Sequence, residues 1–136
     1  MISFENINLW AVLLAAITKV IMGSFWYSPL ILGKSWMQEN GFTEKDFTKG
    51  HSLRLMALLS FLFAFVAALG MAFFITPQST MLSGAGMGAM VSIVWISASK
   101  ANTFLFENYT IRHYLIHVGY DICSYTTMGA ILGAWH

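Results

Sequence analysis

Charge is scarce in this chain of 136 residues: Asp, Glu, Lys and Arg make up 10% of it, against 57% hydrophobic residues and a mean hydropathy of +0.67. That balance exceeds the apolar share of a soluble domain and leaves no room for a second, soluble one. The single cysteine, Cys123, excludes an intrachain disulfide, so cysteine usage does not identify a compartment. A net charge of +1 gives no reason to expect a nucleic-acid partner. The first apolar run lacks a basic start and a convincing cleavage site, and it is too long for a signal peptide, so it is expected to stay in the mature protein. No phosphate loop exists: Gly84-Ala85-Gly86-Met87-Gly88 lies inside an apolar run with no strand before it. No set of nucleophile, base and orienting group has convincing spacing. An enzyme is therefore not expected, nor is a metal or other cofactor.

What the chain does have is length in its apolar runs. Crossing a bilayer takes roughly 20 apolar residues in a helix, and four stretches qualify, at about 9–27, 55–75, 82–99 and 114–135. The expected fold is all-α: an integral membrane four-helix transmembrane bundle filling residues 1–136 as one domain, with a short amphipathic helix in its first cytoplasmic loop. Basic residues favour the cytoplasmic flank of a span. Lys34, Lys45, Lys49 and Arg54 flank the first connection and Lys100 and Arg112 the third, while the two termini and the 76–80 connection carry none. Both termini are thus expected outside. Trp10 and Trp135 fall at the outer boundary, and Trp26, Tyr27, Tyr109 and Tyr114 at or near the inner one, where amphipathic rings settle. On that orientation Asn108-Tyr109-Thr110, a glycosylation pattern, lies on the wrong side to be used.

The first loop is the one sizeable extramembrane element. Pro29 should end or kink the first span. Leu30, Ile31, Leu32, Trp36 and Met37 then suit the membrane surface, with Gly33, Lys34 and Gln38 on a more polar side. Asn40-Gly41 reads as a helix stop, and Thr43 with Asp46, Phe42 and Phe47 as the start of a short helix from about Glu44.

Gly84, Gly88 and Ser92 recur every four residues on the third stretch, and Gly129 and Gly133 repeat the spacing on the fourth. Small residues let helix backbones approach in a membrane, either within a protomer or between copies, and a homo-oligomer, most simply a dimer, is expected.

Two charges sit where lipid alone would not tolerate them, Lys19 in the first stretch and Asp121 in the fourth. His113, His117 and Asp121 also recur every four residues, forming one stripe on a helix joined by Ser124. At 1.5 Å per residue, Lys19 and Asp121 lie about 12 and 10 Å inside the inner ends of their spans. Equal depth predicts that they meet, directly or through water, because an isolated intramembrane charge costs about 2.5–3.5 kcal/mol or more. Lys100 and Asn102 could extend the polar surface, although snorkelling of Lys100 explains its position as well. Such a constellation suits a transporter or channel for protons, ions or a small solute. The alternative is a non-transporting structural or accessory protein with a buried ion pair.

Gly23-x-x-Trp26-Tyr27-Ser28-Pro29, followed by Gly33-Lys34-x-Trp36 and preceded by Asn8-Leu9-Trp10-Ala11-Val12-Leu13, resembles the opening signature of a bacterial membrane family catalogued as domain of unknown function 1761. The 102–107 segment, Ile116-His117-Val118-Gly119-Tyr120 and Met128-Gly129-Ala130-Ile131-Leu132-Gly133 are similar to that family's closing half. The resemblance spans nearly the whole chain. It implies a four-span protein of the bacterial inner membrane and supplies no established activity. Physically, the Trp-Tyr-Ser-Pro motif should break the span at its inner end, with the Ser28 hydroxyl satisfying a carbonyl freed there.

Overall fold

The computed structural model describes residues 4–28, Gln38 and residues 53–136, and among these it contains helices and no strand. Among the described residues four long helices follow a short 3-10 turn at Phe4–Asn6: α1 (Leu9–Trp26), α2 (Leu53–Ala72), α3 (Met81–Phe106) and α4 (Ile111–Ala134). Pro29 and the expected surface and loop helices, with Lys34, Lys45 and Lys49, lie outside the described residues.

Three of the helix starts, those of α1, α3 and α4, have a local chemical cause. Asn8 Oδ1 accepts from the Trp10 and Ala11 amides at 3.1 and 3.3 Å, satisfying donors that the first turn of α1 leaves open. Thr80 and Ser83 form a capping box at α3: the Ser83 amide donates to Thr80 Oγ1 at 3.1 Å and the Thr80 amide to Ser83 Oγ at 2.8 Å. Thr110 Oγ1 accepts from the His113 amide at 3.1 Å and starts α4. Just before it, Asn108 adopts φ 56°, a left-handed position that asparagine tolerates, and this turns the chain after α3.

Three of the four helices are long and apolar enough to cross a membrane: α1, α2 over Arg54–Ala72, and α3. The fourth, with 24 residues, is about 36 Å long and has the reach. Its polar stripe of His113, His117 and Asp121 lowers its apolar character. The third helix runs on to Phe106, well past the expected boundary at 99, because no proline or glycine interrupts 97–106 and the buried Ser97 hydroxyl is satisfied within the helix. Within it, Val91–Ile96 widens to a π-helix. Ser97 Oγ donates across the widened turn to the Ser92 carbonyl at 2.7 Å.

The helices lie side by side in the order α2, α1, α4, α3, with α4 also touching α2. The α3/α4 contact is the most extensive, and glycine is its cause. A Cβ on Gly84 would fall on the Gly129 carbonyl, one on Gly88 on the Tyr125 carbonyl, and one on Gly133 on the Thr80 carbonyl. These glycines therefore serve packing within the protomer, and the expectation of a homo-oligomer loses the sequence feature that motivated it.

At the end holding the 76–80 turn, a dry core forms from Ala11, Val12, Ala15, Ala68, Met71, Met128 and Leu132. His136 Nε2 lies 2.8 Å from the Ser79 carbonyl, bringing the carboxy-terminal end onto that turn. Outside the core the usual distribution is inverted. Leu58, Phe63, Leu82 and Phe106 point outward, while Ser92, Ser97, Asp121 and Ser124 are buried. Apolar belts facing out and polar groups facing in are what a lipid solvent selects.

Candidate functional site

The polar groups concentrate at the opposite end from the dry core, where the end of α1 meets the first half of α4. The stripe on α4 is real: Asp121 and Ser124 are buried, and His113 and His117 are half-buried with ring centroids 4.5 Å apart. Ser124 Oγ donates to the Asp121 backbone carbonyl at 3.3 Å. The Asp121 carboxylate, 7% exposed, pairs with Lys100 Nζ at 2.5 Å. Lys19 is therefore not its direct partner, the first of the two arrangements the depth argument allowed, and Lys100 is turned inward instead of snorkelling. The reason is the length of α3. Treating the helix as ended at 99 made Lys100 a flank residue, whereas its continuation places Lys100 beside α4.

Lys19 has other company. Its Nζ donates to Tyr120 Oη at 3.1 Å and lies 4.4 Å from the Tyr120 ring centroid and 5.7 Å from that of Tyr125. Tyr120 Oη in turn donates to the Lys19 carbonyl at 2.8 Å. The hydroxyl reaches α1 because position 23 is glycine: a Cβ there would meet Tyr120 Oη at 2.8 Å. The next motif residues dock on the same helix. Trp26 Nε1 donates to the Ile116 carbonyl at 3.0 Å, its ring lying over Gly119, where a Cβ would meet it at 3.0 Å. Tyr27 Oη is 2.8 Å from His117 Nδ1. Ser28 Oγ donates to the Phe25 carbonyl at 2.6 Å, which is the role expected of a serine at the end of the span. Trp26 and Tyr27 are thus interhelical clasps rather than free interfacial anchors.

Two cavities flank this clasp. One, about 340 Å³, lies between the end of α3 and the start of α4, with Lys100, Phe104, Tyr109, His113, Tyr114 and His117 in its wall. The other, about 700 Å³, lies between α1, α2 and α4, with Lys19, Tyr27, Ser60, Phe63, Tyr120 and Tyr125 in its wall. The Tyr27–His117 contact joins the two walls. Lys100 is 43% exposed, so the ion pair has one buried face and one open to the smaller cavity. Asn102 is exposed and lines neither cavity.

The chain matches the family described as "Protein of unknown function (DUF1761)" over residues 10–133. It belongs to that family. No curated protein and no solved structure matches it. Two of the segments that carried the resemblance, Gly23 to Ser28 and Ile116 to Tyr120, are the two sides of the clasp just described.

Several site residues were not singled out from the sequence. Tyr125 lies in a run that reads as apolar span, eight residues after His117, and Tyr120 entered only as the last residue of a segment similar to the family. Tyr114 was read as an interfacial ring, yet its hydroxyl donates to the Ser97 carbonyl at 2.9 Å, where the π-helix ends. No sequence signal for that widened turn is evident.

Proposed function

We propose that the chain is a four-span protein of the bacterial inner membrane, with both termini outside, that moves a proton, an ion or a small solute past Lys100, Asp121, His117 and Lys19. The observation that carries this reading is the Lys100–Asp121 pair, buried on one face and open to a cavity on the other. Intramembrane ionisable groups that face the bundle interior or a cavity mark substrate and ion pathways. The orientation draws support from Arg54, Lys100 and Arg112, which lie towards the clasp end of their helices. Four spans are supported by the polar stripe of α4 being covered by α1 and α3, which removes the reason lipid would reject it. No enzymatic step is assigned.

A fixed pore is disfavoured by the core of fully buried Ala11, Val12, Ala15, Ala68 and Met128. Passage would require the helices to part at that end, and the π-helix of α3 is a suitable place to bend. The second reading, a non-transporting accessory protein, draws support from the glycine-locked α3/α4 contact. Purified protein in liposomes, assayed for flux of protons, monovalent ions and small metabolites, separates the two. Flux that Asp121→Asn abolishes in a folded protein supports transport, and no flux of any species leaves the accessory reading.

A further inference from the structure

Lys19, Lys100 and Asp121 supply two positive charges and one negative charge to the clasp region, and Lys100 uses the carboxylate. Among the described residues, Lys19 has only neutral contacts, the Tyr120 hydroxyl and the Tyr120 and Tyr125 ring faces. An ammonium carries three donors. At membrane depth an ammonium with only neutral partners is costly. The cavity it faces has the size of small-ligand sites, which run from roughly 300 to 1,000 Å³. Its wall changes character along its length. Lys19, Ser24, Tyr27 and Ser60 offer polar atoms, whereas Met56 and Phe63 offer apolar surface.

From this juxtaposition we propose that the 700 Å³ cavity binds an acidic amphiphile, one anionic oxygen headgroup on an apolar chain, with the headgroup on Lys19 Nζ. One negative charge neutralises the local excess. A carboxylate or phosphate oxygen completes the hydrogen bonds of the ammonium, with the Ser60 hydroxyl in the same wall to meet a remaining lone pair. The chain lies along Met56 and Phe63. A cation is excluded by Lys19 itself, and a small inorganic anion would leave the apolar wall unused. The inference deepens the transport reading by naming the class of ligand, and it is tested by binding, so that it can fail while flux persists or stand where flux is absent.

The test is calorimetric titration of the full chain, in neutral detergent, with decanoate, decyl phosphate and decyltrimethylammonium. In parallel, the protein in phosphatidylcholine nanodiscs with and without phosphatidylglycerol is analysed for retained lipid by native mass spectrometry. One anionic ligand per chain is expected in at least one arm: binding of the free amphiphiles assigns a soluble acid, and selective retention of phosphatidylglycerol assigns a lipid headgroup. Lys19→Met should weaken that binding at least tenfold and Lys19→Arg should retain it. Ser60→Leu, on the exposed face of α2 where it leaves the core untouched, should block the cavity with Lys19 intact, so a poorly folded Lys19→Met does not leave the question open. Equal affinity for decyltrimethylammonium, anion binding unchanged in both Lys19→Met and Ser60→Leu, or no anion bound in either arm would overturn the proposal.

Discussion

Exchanging either member of the Lys100–Asp121 pair should cost unequal amounts, and the inequality follows from their surroundings. Asp121 is 7% exposed and Lys100 43% exposed. Lys100→Met strands a carboxylate inside the protein. The fully buried limit for such a loss is about 3–5 kcal/mol, and the open face of the pair reduces it to roughly 2–4 kcal/mol. Asp121→Asn strands an ammonium that can swing into the 340 Å³ cavity and rehydrate, so its cost should be only about 1 kcal/mol. The double substitution should recover part of the larger loss, giving a coupling of roughly 1–2 kcal/mol. Lys19→Met combined with Asp121→Asn should show much weaker coupling, because Lys19 rests on Tyr120 and Tyr125. The assay is unfolding in mixed micelles of neutral detergent and dodecyl sulfate, followed by tryptophan fluorescence, with the chain's five tryptophans as reporters. A larger cost for Asp121→Asn than for Lys100→Met, or a stronger coupling of Asp121 to Lys19 than to Lys100, would refute the reasoning.

Gly88→Ala should destabilise by about 1–3 kcal/mol or prevent folding, since its Cβ would fall on the Tyr125 carbonyl, whereas Gly70→Ala and Gly86→Ala, with nothing within 4 Å, should be neutral or stabilising by up to about 1 kcal/mol; the same micellar titration checks all three, and a tolerated Gly88→Ala would contradict the α3/α4 contact. Trp26→Phe should cost about 1 kcal/mol through the lost donor to the Ile116 carbonyl, and a cost no greater than that of Trp95→Phe, whose ring is exposed, would count against the clasp. The phenol of Tyr109 is held above its ordinary value by its hydrogen bond to Glu107 and that carboxylate's charge. The stabilisation is therefore present below the ordinary tyrosine range and lost as pH rises through the raised value; ultraviolet difference titration of Glu107→Gln should show one tyrosine ionising at lower pH than in the parent, and identical curves would remove that contact.

The sequence was most legible where a single physical demand acts on many residues at once. Apolar length located α1 and α2 to within a few residues, because lipid imposes the same requirement along the whole run. Four-residue spacing marked Gly84, Gly88, Gly129 and Gly133 as contact positions, since only glycine permits the backbone approach seen there. It could not say whose backbone approaches, because spacing on one helix is the same for a neighbour in the chain and a neighbour in another copy. The stripe on α4 was legible for the same periodic reason. Its partners were not. Lys19 and Lys100 were both available to Asp121, and choosing by depth required the path of α3, which runs to Phe106 through a π-helix at Val91–Ile96 that periodicity does not encode.

The clasp gives a reason for the separation of the two lysines. Trp26 and Tyr27 fix the end of α1 against Ile116 and His117, one turn before Asp121, and Gly23 brings Tyr120 beneath Lys19. The Lys19 ammonium is thereby held on aromatic faces in the larger cavity while Asp121 points to α3. Pairing Lys19 directly with Asp121 would neutralise the larger cavity and leave Lys100 unpaired in the wall of the smaller one. With Lys100 on the carboxylate, the Lys19 cavity keeps its positive charge and the smaller cavity keeps a pair that can open. His117, bonded to Tyr27 on one side and beside His113 on the other, is the group common to both walls. The Tyr27–His117 contact is a side-chain link between the two walls, and Tyr27→Phe should weaken any coupling between them: anion binding at Lys19 should persist while its effect on Lys100–Asp121 falls. If decanoate continues to shift the unfolding midpoint of Lys100→Met and Tyr27→Phe as it does the parent, the two cavities are independent and the clasp is only a fastening.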